Sequence, residues 1–524
     1  MRQSRIRAAL RLLAAALSLA AIGLGLWRLE QPQRALGVIE ALRVGEIPAT
    51  LYAPARPLGP AVVIAHGFAG SQQLMQPFAL TLARAGYTAI TFDFPGHGQN
   101  STPLGEGAGR AAGLDRALDQ VVALARGRSD GRVALLGHSM GSQAVVRYAQ
   151  EHPAIEATVA VSLVYSGVTP SSPRNLLVLT GALEGNLRPL AQQVADAAAG
   201  GTAQPGVTYG SFADGNARRV VFPASVEHIG VLYSPTSMAE SLDWLNAAFG
   251  QPAPASPFLD ERPSALGLIY LGAIILFFAL FATPKRPTAE PTLPTQAAPT
   301  TQNTTLKTQN SLNWWLVAVL PAVVAPLLLR VLPAGDLLPI LVGGPLALLF
   351  ALYGLLTAAG LWWLHRQGGQ RGVVALPPRR LLASVAVALL VVGYVFLTFG
   401  LPAQWYVLNY FPPPVRLPIF VAVALAMLPY FLADEWLTRA RPAPRGAYAI
   451  TKACFLGGLV LAIVLDRSLS FLTLIAPLFL LYFVVYGAFS GLVFRRTGSP
   501  LAGALANTLI FAWSVAAVFP LVRG

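Results

Sequence analysis

Apolar and polar positions follow two different rhythms along this chain. Between about residues 45 and 250 the apolar runs are short, at 61–65, 88–92, 133–136, 157–163, 175–180 and 219–223, and each reads as a buried strand. Stretches with helical spacing lie between some of them, at 76–84, 114–125 and 142–150. Strands alternating with helices predict a mostly parallel, doubly wound sheet with helices on both faces. Outside this region the apolar runs are long. They cover 8–27, 265–281, 314–332, 337–364, 381–399, 417–432, 449–465, 472–494 and 501–522. Each approaches or exceeds the roughly 20 residues needed to cross a bilayer. The expected organisation is an anchor at 1–30, an α/β domain at 40–250 and a span at 263–283. A flexible linker rich in Pro, Thr, Gln and Ala follows at 284–312, then a helical membrane domain at 313–524.

Composition agrees with this division. Of 524 residues, 55% are hydrophobic and only 11% charged, which is too apolar for a soluble protein of this size. The single cysteine, Cys454, excludes an internal disulfide and offers no metal cluster. A net charge of +14 would suit nucleic acid, but the basic residues are scattered or flank apolar spans, so no nucleic-acid partner is expected. Arg2, Arg5, Arg7 and Arg11 precede or begin the first span, and no convincing cleavage site follows, so that span is expected to remain as an anchor. Alternation from a cytoplasmic N-terminus puts Lys285, Arg286 and Lys307 inside, then Arg366, Arg371, Arg379 and Arg380. It likewise puts Arg439, Arg441 and Arg445 inside, and Arg495 and Arg496, while Arg416 and Arg467 are the main basic residues outside. This asymmetry predicts a multi-pass cell-membrane protein whose α/β domain faces outward.

The candidate chemistry centres on Gly137-His138-Ser139-Met140-Gly141, which stands between a strand and a helix. A G-x-S-x-G turn in that context presents a serine hydroxyl clear of the backbone. A serine hydroxyl needs a base, and the base a group that orients it. Residues 45–250 resemble the α/β-hydrolase family in this turn, in His66-Gly67-Phe68, in Asp93-Phe94-Pro95-Gly96-His97-Gly98 and in Gly181-Ala182-Leu183-Glu184. The resemblance implies a serine hydrolase with Ser139 as nucleophile, Glu184 as acid and His228 as base, in the family's chain order. It also implies oxyanion donors at the backbone of Phe68 and Met140, and no cofactor or metal. Asp214 is the rival acid, and His66, His97, His138 and His152 are expected to be structural. Only about a dozen residues separate strands 157–163 and 175–180, where many relatives insert a lid. The site should therefore be open, with Tyr165 and Leu183 as pocket walls beside Phe68 and Met140.

From about residue 429 the chain is similar to the CAAX-protease and bacteriocin-processing membrane family. The similarity rests on Asp434-Glu435-Trp436-Leu437-Thr438-Arg439, Phe455-Leu456-Gly457-Gly458-Leu459 and Phe494-Arg495-Arg496. Leu459 and Asn507 stand where that family has histidines, and His365 lies outside these motifs, so a degenerate domain without protease activity is expected. The expected function is cleavage of small-molecule or lipid acyl esters by a membrane-anchored serine esterase. An acyltransferase or peptidase on the same residues, or a transporter or scaffold with an accessory hydrolase, are the alternatives.

Overall fold

The computed structural model describes residues 2–253, 255–281, 301–367, 377–440 and 443–522. The chain divides into two compact units. One comprises Ala20–Tyr270, Phe399–Val415 and Ala517–Gly524; the other comprises Met1–Leu19, Leu271–Thr398 and Arg416–Ala516.

The first unit is built on nine strands: β1 (Val38–Val44), β2 (Ile47–Ala53), β3 (Ala61–Ala65), β4 (Thr88–Phe92), β5 (Val133–His138), β6 (Ile155–Val161), β7 (Leu176–Leu179), β8 (Thr208–Tyr209) and β9 (Arg218–Val221). They form one sheet in the order β1-β2-β4-β3-β5-β6-β7-β9-β8. The strands β4, β3, β5, β6, β7 and β9 run parallel, while β1, β2 and β8 are antiparallel to their neighbours. Apolar residues on both faces make the central strands wholly buried. On β3, Val62 and Ile64 pack with Phe78, Leu82, Leu242 and Leu245. Ala61, Val63 and Ala65 turn the other way, toward Leu118, Val121 and Val145. These partners lie on helices Gln76–Ala85 and Pro235–Phe249 on one face, and Gly107–Gly127 and Met140–Glu151 on the other. Burying a side chain such as Ile64 stabilises by about 1.5–3 kcal/mol, and a one-residue slip would exchange the two faces.

The hairpin β1–β2 adds to the predicted elements. It turns at Gly45, whose φ of 60° suits a glycine, and pairs Val38 with Ala53 through Val44 with Ile47. At the sheet edge β1 has no fully buried position, so its residues make no buried apolar run. The loop 162–175, standing where a lid could be inserted, is pinned by buried Arg218, which donates to the carbonyls of Thr169 and Pro173 at 3.2 and 2.6 Å.

Among the described residues, nine helices of the chain are long and apolar enough to cross a membrane. In the second unit, close helix packing occurs at small residues. A Cβ on Gly354 would lie 2.2 Å from the Tyr430 amide nitrogen, and one on Gly458 would lie 2.9 Å from the Ala322 oxygen. Of the linker expected at 284–312, residues up to 300 lie outside the described residues. From Thr301 the backbone is already helical, running to Val331. No proline or glycine stands between Thr301 and Asn313 to break a helix that the following apolar span continues.

Candidate active site

β5 ends at His138 and the next helix begins at Met140, so Ser139 alone makes the turn. Its backbone has φ 53° and ψ −117°, a conformation costing a non-glycine residue on the order of 1–3 kcal/mol. Neighbouring glycines make the turn sterically possible. A Cβ on Gly137 would lie 2.3 Å from the Gly141 oxygen, and one on Gly141 2.5 Å from the His66 oxygen. The Ser139 amide donates to the Val161 carbonyl at 2.9 Å, tying the turn to β6.

Glu184 follows β7 on a turn that needs Gly181, where a Cβ would meet the Val226 oxygen at 2.5 Å. His228 lies on the loop after β9. Its Nδ1 is 2.6 Å from Glu184 Oε1, and its Nε2 is 3.0 Å from Ser139 Oγ. The carboxylate facing Nδ1 keeps the proton there and leaves the Nε2 lone pair directed at the serine. The other carboxylate oxygen, Oε2, accepts from the Gly181 amide at 2.6 Å and the Ser162 hydroxyl at 2.9 Å. The glutamate side chain is 3% exposed and the imidazole 15%. Such a chain can take a proton from a hydroxyl and hand it on to a leaving group. Asp214, by contrast, is an exposed residue of the turn before β9.

Phe68 sits in the turn after β3. A Cβ on Gly67 would lie 3.1 Å from Ser139 Cβ, so this turn runs directly against the serine residue. The Met140 amide belongs to the first turn of its helix, where N–H groups lack intrahelical acceptors. Both side chains are half-buried. Tyr165 packs against a cluster that includes Val146, Leu163 and Val178, and Leu183 is 65% exposed. A cavity of about 490 Å³ lies elsewhere in this unit, lined by Gln73, Gln76, Gln404 and Trp405 among others.

Two contributors escaped sequence reasoning. Ser162 is a serine at a strand end, with no pattern to single it out. His138, expected to be structural, is buried, and its Nε2 lies 2.9 Å from the His228 carbonyl oxygen, to which it donates. It thereby holds the backbone of the residue facing Ser139. His66 accepts from the Phe94 amide at Nε2, 3.0 Å, and its Nδ1–H donates to the Gly67 carbonyl at 2.8 Å. Burial lowers His66 to about 4. Burial, and then the nearness of His228, lowers His138 to about 3. Both imidazoles are neutral near pH 7 and committed to backbone.

In the second unit, Asp434 pairs with Lys452 at 2.6 Å and accepts from the Thr451 hydroxyl at 2.7 Å. Glu435 pairs with Arg439 at 2.6 Å and accepts from the Ser490 hydroxyl at 2.7 Å. Asp434, Glu435, Leu459 and Asn507 are all buried, and His365 lies near the end of another helix, Gly343–Gln367. Among the described residues no group of three or more His, Cys, Asp or Glu side chains is placed to hold a metal ion.

Residues 60–179 match the family model of the alpha/beta hydrolase fold. Cutinase 2 of Thermobifida cellulosilytica is 30% identical over 127 residues, which are 23% of this chain and 46% of that protein. A cutinase of Thermobifida fusca (strain YX) is likewise 30% identical over 127 residues, 38% of its length. The chain thus spans less than half of the curated relatives it matches. Among solved structures, a CIB-like hydrolase from Thermoplasma acidophilum aligns with 15% identity and a TM-score of 0.31, covering 40% of this chain and 97% of that one. A bacterial membrane phospholipase A aligns with 15% identity and a TM-score of 0.32, covering 48% and 99%. With its sheet order, its glycine-flanked Ser139 turn and the family match at 60–179, the unit built on β1–β9 has the α/β-hydrolase fold, and the chain adds to it a helical region with several apolar helices.

Proposed function

We propose that this protein is a membrane-anchored serine hydrolase that cleaves acyl esters, with the α/β unit on the extracytoplasmic side of the cell membrane. The hydrogen-bonded chain from Glu184 through His228 to Ser139 carries this reading. Ser139 Oγ attacks the ester carbonyl carbon while His228 Nε2 takes its proton. The tetrahedral oxyanion is met by the Phe68 and Met140 amides, and its collapse expels the alcohol, protonated by His228. Water then repeats the sequence on the acyl-enzyme. Glu184 orients the imidazole and stabilises its cationic form, and no cofactor takes part. The match to proteins named cutinases supports an ester as substrate. The short loop 162–175 supports an open site suited to a bulky or lipid ester. A transferase or peptidase could run on the same residues, because the triad sets acyl chemistry and leaves the acceptor open.

Activity-based labelling of membranes with a fluorophosphonate tests the reading. The wild type should label, and Ser139→Ala should not, while both accumulate equally; equal labelling of the two proteins would end it. Orientation is tested separately with a reporter active only in the cytoplasm. Fused near Thr301 it should be active, and fused near Gly250 silent. The reverse pattern would move the substrate to the cytoplasmic leaflet.

A further inference from the structure

The segment Phe399–Val415 connects two apolar spans in sequence, yet it belongs to the same compact unit as the sheet. It begins within a π-helical turn, Phe396–Gly400, and includes a short helix, Leu401–Tyr406. Within it Asn409 is buried and hydrogen-bonds to the residue that follows the turn carrying Phe68 and to Gln99 in the loop after β4. The Asn409 amide donates to Ser71 Oγ at 2.8 Å. Its Oδ1 accepts from Gln99 Nε2 at 2.7 Å, and Gln99 Nε2 also reaches the Phe411 carbonyl at 2.6 Å. Gln99 in turn donates its backbone N–H to Asp93 Oδ2 at 2.9 Å, while Asp93 Oδ1 accepts from the Gln72 amide at 2.8 Å. Ser71 and Gln72 directly follow Gly70, whose amide closes the 67–70 turn on the Gly67 carbonyl at 3.0 Å. A closed circuit therefore runs from Asn409 through Ser71 to the turn, and back through Asp93 and Gln99. A second strap comes from the chain's end, where Leu521 exchanges backbone hydrogen bonds with Gly96 and Leu104 at 2.9 and 2.8 Å.

We propose that Asn409 is a positioning residue for the hydrolase reaction: the segment between two spans holds the Gly67–Gly70 turn, and with it the Phe68 amide, where the oxyanion forms. This rests on the serine-hydrolase reading above. Oxyanion donors act through preorganisation, so a small displacement lowers turnover without removing any group that binds substrate.

The test uses the full-length protein and a short aryl ester, with turnover normalised to sites titrated by fluorophosphonate. Asn409→Leu removes one of the two acceptors of Gln99 Nε2. It should lower kcat per titrated site about tenfold and leave KM within about twofold. Asn409→Asp should recover most of that loss, because the Asn409 Nδ2 it discards has no hydrogen-bond partner among the described residues. Gln99→Leu should match Asn409→Leu, and the double variant should be no worse than either, as for groups acting as one unit. Unchanged kcat per site in both single variants would overturn the proposal. So would a loss seen only as fewer titratable sites, since that reports folding alone. A wild type that neither labels nor turns over ester would instead end the hydrolase reading, and this inference with it.

Discussion

Two of the networks of buried polar side chains among the described residues differ in how they end. In the α/β unit, Glu184, His228 and Ser139 form a line with a carboxylate at its buried end and a half-buried hydroxyl at the other. In the helical unit, Asp434 with Lys452 and Glu435 with Arg439 close on themselves, each carboxylate facing its own cation and a hydroxyl. The first network contains an imidazole, which can accept a proton at one ring nitrogen and pass it on. The second contains none, and its charges already cancel. Burial alone therefore does not mark an active site. An open end and a group that can pass a proton on suit the proposed chemistry, whereas balanced, closed pairs spare the packed helices a lone buried charge.

The comparison breaks most visibly at the base. His228→Ala should lower ester turnover by at least about 10³-fold with protein level unchanged, and combining it with Ser139→Ala should add almost nothing. A stopped assay with a chromogenic aryl ester measures this, and additive losses would mean the residues do not act as one unit. Next comes the acid. Glu184→Gln should cost about 10²-fold or more in kcat, because the amide can present its N–H to Nδ1 and upset the tautomer, while Asp214→Asn should leave kcat unchanged. The opposite ranking would assign the role to Asp214.

The helical network is sharpened by Asp434→Asn combined with Glu435→Gln. Uncompensated Lys452 and Arg439 should destabilise that unit by about 3–5 kcal/mol, seen as reduced accumulation or a lower melting temperature. Ester turnover per labelled site should be unaffected. Metal-dependent peptide cleavage that survives Ser139→Ala and vanishes in this double variant would make the second network catalytic.

The smallest effect concerns the neutral histidines of the α/β unit. His66 is lowered to about 4 in the folded state, against about 6.5 when unfolded. Below pH 6.5 the unfolded chain therefore binds a proton that the fold refuses. Stability contributed by neutral His66 is complete above pH 6.5 and declines as pH falls toward 4. Thermal unfolding between pH 7 and 4 should show this fall, and His66→Gln should flatten part of it; identical slopes would dissociate His66 from acid sensitivity.

Local chemistry made much of this molecule legible in advance. The apolar runs at 61–65, 88–92 and 133–136 read as buried strands and are strands, and the glycines around Ser139, set between a strand and a helix, read as a turn too tight for side chains. Long spans declare themselves because a bilayer demands about 20 apolar residues in a row. Tertiary structure decided what depends on residues far apart in the chain. It put Glu184 rather than Asp214 against His228, turned His138 into a clamp on the His228 carbonyl, and recruited Ser162 to the carboxylate. It also brought Asn409 to Ser71 across more than 300 residues and Leu521 to Gly96 across more than 400. Such contacts leave no periodic trace, because each depends on one side chain or one backbone group meeting another only after the sheet and helices have packed.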